Sequence, residues 1–207
     1  LKVIGLTGGI ASGKSTISML LKNRGAVIID ADKIAREIMT PGKPVWHAVI
    51  EHFGREILLD GKNIDRKKLG RIVFSDPKLL ETLNSITHPA IVQEIKERLD
   101  YYRHKNEKVV VVDAALLLEI GLDSLVDEVW VVVVDEKNQL KRLMDREKGM
   151  DLEEARNRIR AQMPLDEKIK MADKIIDNSG SIEETERQID ELWREIELSW
   201  QKKLQQY

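Results

Sequence analysis

Gly8-Gly9-Ile10-Ala11-Ser12-Gly13-Lys14-Ser15-Thr16 decides the fold. It has the spacing G-x-x-x-x-G-K-S, follows the expected strand Val3–Leu6 and precedes the amphipathic run Ile17–Lys22. A strand, a glycine-rich turn and a helix in that order point backbone N–H groups and the positive end of a helix dipole at one spot, which suits phosphate oxygens. In such a loop Lys14 reaches the β- and γ-phosphates and the Ser15 hydroxyl ligates Mg²⁺. An accidental match in a glycine-rich turn lacks this context, so the whole loop, Gly8 to Thr16, is expected to bind a nucleotide.

Further along the chain, Ala26–Ile29, Val109–Val112, Val129–Val134 and Ile175–Ile176 are short apolar segments, spaced widely enough for helices between them. Continuous rather than alternating apolar strands imply a parallel sheet covered on both faces, hence an α/β, doubly wound, three-layer core. Ligands in such a fold sit at the carboxyl ends of the strands. The stretch Ala31–Lys108 is too long for one crossover helix and carries helical patterns at Leu79–Leu83 and Ile91–Leu99. It reads as a helical insertion for the second substrate. Asp151 with Glu154, and Ser181 with Glu184, have the spacing of helix-starting capping boxes. The last helix, from about Ile182, places Ile189, Leu192, Trp193 and Ile196 on one stripe.

The 207 residues fit one domain with inserted parts. The 34 basic and 36 acidic side chains nearly cancel without long blocks of one sign, so neither nucleic acid nor an anionic membrane is an expected partner. Absence of cysteine excludes disulfides, thiolate chemistry and Cys-ligated zinc. Apolar runs fall far short of the ~20 residues that span a bilayer, and the first residues lack signal-peptide features, which makes cytoplasm the expected compartment.

Several acids and bases can serve the chemistry. Asp30-Ala31-Asp32 follows the second strand, and strand alternation aims both carboxylates to one side. Asp32 is expected to accept the acceptor hydroxyl's proton with Asp30 in support; the alternative is that one of them caps a helix beginning near Lys33. Asp113 closes the strand Val109–Val112, where an acid helps to hold Mg²⁺ or merely ends the strand. Arg142 and Arg146 lie one helical turn apart, with Arg156, Arg158 and Arg160 close behind. These form either a lid that neutralises a transferring phosphoryl group or surface pairs with Glu147, Glu153 and Glu154. His88-Pro89 reads as the start of the helix Ala90–Leu99. His47, His52 and His104 lack metal-ligand spacing and read as surface or packing residues.

In order along the chain, Ile4–Ile10, Ala11–Thr16, Asp30-Ala31-Asp32 with Ala35-Arg36-Glu37, His88-Pro89, Asp113 with Leu116–Glu119, Arg142 and Arg146, Arg158 with Gln162, and Ala172-Asp173 leading to Ile176–Gly180 resemble the dephospho-CoA kinase family. Ala11 stands where a glycine is frequent in that family, and the segment Ala115–Glu119 lacks its usual proline and phenylalanine. The resemblance implies a P-loop kinase fold and transfer of the γ-phosphoryl of ATP, with Mg²⁺, to the ribose 3′-hydroxyl of dephospho-CoA, the last step of coenzyme A biosynthesis. It further implies Asp32 as the base, and Lys14 and the loop holding ATP. Arg142 and Arg146 then act from a lid, Asn178 to Gly180 lie near the adenine, and the insertion with His88 and Pro89 binds dephospho-CoA. The implied ranges are a core of 1–30, 108–135 and 172–207, an insertion of 31–107 and a lid region of 136–171, in a monomer or small homo-oligomer. A GTPase would require an N-K-x-D motif after a strand, which the sequence lacks.

Overall fold

A computed structural model of the protein describes residues 1–147 and 149–204. Position 148 of the expected lid region and 205–207 of the expected core lie outside the described residues. Two compact units emerge: Leu1–Ile29 with Asn106–Tyr207, and Asp30–Lys105.

The first unit opens with β1 (Lys2–Gly8), α1 (Lys14–Asn23) and β2 (Val27–Asp30). The second unit holds α2 (Ala31–Glu37), α3 (Pro44–Phe53), the two-residue strands β3 (Leu58–Leu59) and β4 (Asn63–Ile64), α4 (Arg66–Ser75) and α5 (Pro77–His104). The chain then returns to the first unit with β5 (Val109–Asp113), β6 (Glu128–Val133), α6 (Glu136–Arg146), α7 (Leu152–Arg160), α8 (Leu165–Lys170), β7 (Lys174–Asp177) and α9 (Ile182–Leu204).

The sheet order is β2-β5-β1-β6-β7, and β1 pairs in parallel with both β5 and β6. This is the expected α/β architecture, with all five anticipated strands present. The run Val109–Asp113 is buried along its whole length, as a strand covered on both faces must be. On one face Ile4, Leu6, Val109, Val111, Trp130 and Val132 pack with Ile17, Leu20 and Leu21 of α1 and Ile189, Leu192 and Ile196 of α9. On the other, a side-chain carbon at Gly5 would meet Leu117 at 2.7 Å, so the segment after β5 lies directly against β1. Each such fully buried aliphatic side chain contributes about 1.5–3 kcal/mol. The α9 stripe is as its periodicity anticipates, and Ser181 and Glu184 form the reciprocal capping box, with Ser181 N donating to Glu184 at 2.8 Å and Glu184 N to Ser181 at 3.3 Å. Asp151 likewise accepts from Glu154 N at 2.8 Å.

The second unit has its own core of Val49, Phe53, Ile57, Ile64, Leu69 and Val73. Two expectations fail here. His88-Pro89 does not start a helix: Pro89 sits inside α5, which runs unbroken from Pro77. The true start is marked by Asp76, whose side chain accepts from Lys78 N, with Pro77 in the first turn. Packing of α5 against α2, α3 and α4 outweighs the hydrogen bond that Pro89 deletes. Strand alternation does not orient the two early acids either, because the helix begins at Ala31 rather than near Lys33. Asp30 caps it by accepting from Lys33 N at 2.9 Å, and Asp32 stands in its first turn. No helix among the described residues is long and apolar enough to cross a membrane.

Candidate active site

Strand β1 delivers the chain into the glycine-rich loop, and α1 begins at Lys14, so loop and helix dipole meet as expected. Gly13 occupies the capping position at φ +90°, where an added carbon would lie 2.0 Å from Asn178 Nδ2. Only glycine fits that combination of left-handed backbone and close approach. No side chain among the described residues caps α1, which leaves its first N–H groups available to an anion. Ala11 also has positive φ, +58°, a conformation that costs a residue with a Cβ.

Side chains from later elements hold this loop by its backbone. Gln162 accepts from Ile10 N at 2.7 Å, and Gln139 of α6 donates to Ile10 O at 2.9 Å. Asn178, just past β7, donates to Ser12 O at 2.8 Å. Thr185 of α9 fixes the orientation of that amide by donating to Asn178 Oδ1 at 3.0 Å. Arg142 of α6 donates to Asn178 O at 2.9 Å and approaches Ser12 O at 3.5 Å. Ile10, Ser12 and Gly13 are thus set by contacts that reach across the sequence. Preorganised amides cost little rearrangement when an anion arrives.

Beside the loop, Asp113 is aligned with Leu6 in the β1–β5 ladder. Its carboxylate accepts from Lys14 Nζ on one oxygen and from Ser18 Oγ on the other. The Ser12 hydroxyl is buried inside the loop without a hydrogen-bond partner among the described residues. Buried polar atoms are almost always paired. An orphan there fits a phosphate oxygen as its missing partner. Mg²⁺ also fits: it takes one or two protein oxygens and completes its shell with phosphate and water. Asp113 and the exposed Ser15 offer a carboxylate and a hydroxyl of that kind.

The remaining expected site residues are placed as follows. Arg142 is tied to the loop, whereas Arg146, one turn on, is exposed and 3.5 Å from Glu147. Arg158 pairs with Glu154 at 2.9 Å, so each of these two arginines has a carboxylate neighbour at the surface. Thr16 is half-buried in the first turn of α1; Gly8 and Gly9 lead into the loop. Gly180 borders an open groove of about 480 Å³ with Asp177, Glu184, Arg187, Gln188 and Glu191. In the second unit, Asp32 is exposed on α2. Arg98 of α5 fastens α2 by donating to Glu37 at 2.5 Å, while it also donates to Glu94 of its own helix at 2.8 Å. His88 is half-buried on α5, where burial lowers its pKa, and Pro89 is exposed beside it.

Gln139, Ser18 and Thr185 carry contacts that residue-type reasoning overlooked. Their signal was a polar residue on a buried helical stripe: Gln139 shares its stripe with Leu143, and Ser18 shares one with Ile17 and Leu21.

Residues 2–184 match the family model described as dephospho-CoA kinase. A dephospho-CoA kinase of Carboxydothermus hydrogenoformans is 55% identical over 91% of this chain and 91% of its own. The solved dephospho-CoA kinase of Campylobacter jejuni superposes with a TM-score of 0.71 at 33% identity, covering 94% of this chain and 96% of that one. Shikimate kinase from Bacteroides thetaiotaomicron, at 15% identity and a TM-score of 0.54 over 93% of this chain and 98% of its own, shares the fold alone. A match that spans the loop, both acid-bearing strand ends and Asn178 leaves one assignment: the chain belongs to the dephospho-CoA kinase family.

Proposed function

We propose that the protein phosphorylates the ribose 3′-hydroxyl of dephospho-CoA at the expense of ATP, giving coenzyme A and ADP. The observation that carries the reading is the orphaned Ser12 hydroxyl inside a loop whose backbone is held by Gln139, Gln162 and Asn178, with the Lys14–Asp113 pair beside it, in a chain of this family.

The loop Gly8 to Thr16 cradles the phosphates of ATP. As the nucleotide enters, the Lys14 ammonium exchanges its contact with Asp113 for the β- and γ-phosphates. Asp113 and Ser15 would then be free to hold Mg²⁺, which would offset the negative charge of the phosphates. Asn178 and Gly180 border the adenine. The second unit, including His88 and Pro89, holds dephospho-CoA, and Arg98 steadies the helix that carries Asp32. Asp32 accepts the proton of the 3′-hydroxyl as that oxygen bonds to the γ-phosphorus and the bond to the β-phosphate oxygen breaks. Arg142, and Arg146 once its weak contact with Glu147 is given up, neutralise charge on the moving phosphoryl group. The reaction belongs in the cytoplasm, with which the cysteine-free composition is compatible.

An acceptor panel tests the assignment. Dephospho-CoA, a nucleoside monophosphate and shikimate are each offered with Mg·ATP, and the product's phosphate position is read by NMR. Exclusive 3′-phosphorylation of dephospho-CoA is expected. A preference for either other acceptor, or ATP hydrolysis indifferent to all three, contradicts it.

A further inference from the structure

Lys168 is a charged side chain with no solvent exposure, on the short helix α8. Its ammonium donates to Ala115 O at 2.8 Å and pairs with Glu119 at 2.9 Å. An apolar side chain of similar length would fill this space without removing an ammonium from water, so packing alone does not call for lysine. What Lys168 grips is informative. Ala115 lies two residues beyond Asp113, and its carbonyl also accepts from Thr7 of β1 at 3.2 Å, next to the first glycine of the phosphate loop. Between them, Ala114 N donates to Leu6 O at 3.0 Å. Upstream of α8, Gln162 accepts from Ile10 N at 2.7 Å. The segment from Gln162 to Lys168 therefore touches the loop at one end and the Asp113 segment at the other.

We propose that Lys168 is a positioning residue for phosphoryl transfer: from α8 it grips the Ala115 carbonyl and Glu119, and so holds the Asp113 carboxylate in register with the phosphate loop. The proposal rests on the reading of Asp113 as the acid beside Lys14 and the metal. Partners that orient a site's carboxylates commonly change metal affinity or activity by about 10–100-fold when removed.

The test compares Lys168→Met, Glu119→Gln, Asp113→Asn and the double variants with Asp113→Asn in the full chain. Steady-state rates, the gain in ADP affinity on adding Mg²⁺ measured by calorimetry, and thermal melting are recorded for each. Lys168→Met is expected to lower kcat by about 10–100-fold, leave KM for ATP within about threefold, and shrink the Mg²⁺-dependent gain in ADP affinity. In the Asp113→Asn background the same change is expected to cost less than about threefold, because its effect runs through a carboxylate already lost. A lower melting temperature with unchanged kcat, or losses that multiply fully in the double variant, overturns the proposal. Should Lys168→Met fail to fold, Glu119→Gln carries the same comparison: a non-additive loss supports the proposal and full additivity overturns it. Full activity of Asp113→Asn by itself removes the role of Asp113, a failure distinct from one confined to Lys168, and the proposal falls with it.

Discussion

Ala11 is where the phosphate loop departs from the cheapest backbone solution. It holds φ +58°, a region that costs a residue with a Cβ about 1–2 kcal/mol, while glycine there costs about 0.5–1 kcal/mol in unfolded-chain entropy. Ala11→Gly is accordingly expected to stabilise the protein by about 0.5–1 kcal/mol with its nucleotide affinity kept, read from denaturant midpoints and ADP titration. A loss of stability would show that the Ala11 methyl packs productively with Leu140 and Met144, which border the same small cluster. The loop's residue types were legible because phosphate binding prescribes glycines, a lysine and a hydroxyl at fixed spacing. The grips on its backbone were not: Asn178 to Ser12 O spans 166 positions and Gln162 to Ile10 N spans 152, and no local pattern encodes a partner so distant.

Among the elements, α5 departs most from its sequence reading. Two helical patterns flank His88-Pro89, and proline's preference for a first turn favours a break that contacts with α2, α3 and α4 override. The proline then remains as a local cost inside a continuous helix. Pro89→Ala is expected to raise stability by about 1–2 kcal/mol, since Pro89 is exposed and its replacement restores an N–H able to donate to Ser85 O. Unchanged or reduced stability in urea unfolding would mean that the helix bends there for a reason its packing requires. His88 gives α5 a pH dependence. Burial lowers its pKa from 6.5, so the folded state favours neutral imidazole. The unfolded chain then binds the proton more readily: this stability is fully present above pH 6.5 and is lost as pH falls through the depressed value. Between pH 7.5 and 5.0 the wild type is expected to lose more stability than His88→Gln, whose side chain cannot protonate. Equal losses would contradict this. The helix starts at Asp151 and Ser181 were readable because a capping box is a three-residue-range interaction, whereas the two-residue strands β3 and β4 carry too little pattern to register.

For the whole molecule, strand identity was legible and strand neighbourhood was not. Val109–Val112 and Val129–Val134 announce buried parallel strands, yet that β1 sits between β5 and β6 is a product of crossover packing and not of any one segment. That order aligns Asp113 with Leu6 and brings the carboxylate to the loop. The second unit, with a separate core, carries Asp32 on a helix fastened by Arg98. In the proposed reaction ATP held by the loop supplies the phosphoryl group and Asp32 receives the acceptor's proton. Its most direct test is the rate of coenzyme A formation from Mg·ATP and dephospho-CoA by the wild type and by Asp32→Asn, with ADP release followed in parallel and with the acceptor omitted as a control. The expected result is ADP and coenzyme A in equal amounts only when dephospho-CoA is present, with kcat about 10²–10⁴-fold lower in Asp32→Asn and ATP affinity unchanged. ADP release that ignores the acceptor, or an Asp32→Asn variant as fast as the wild type, would contradict it.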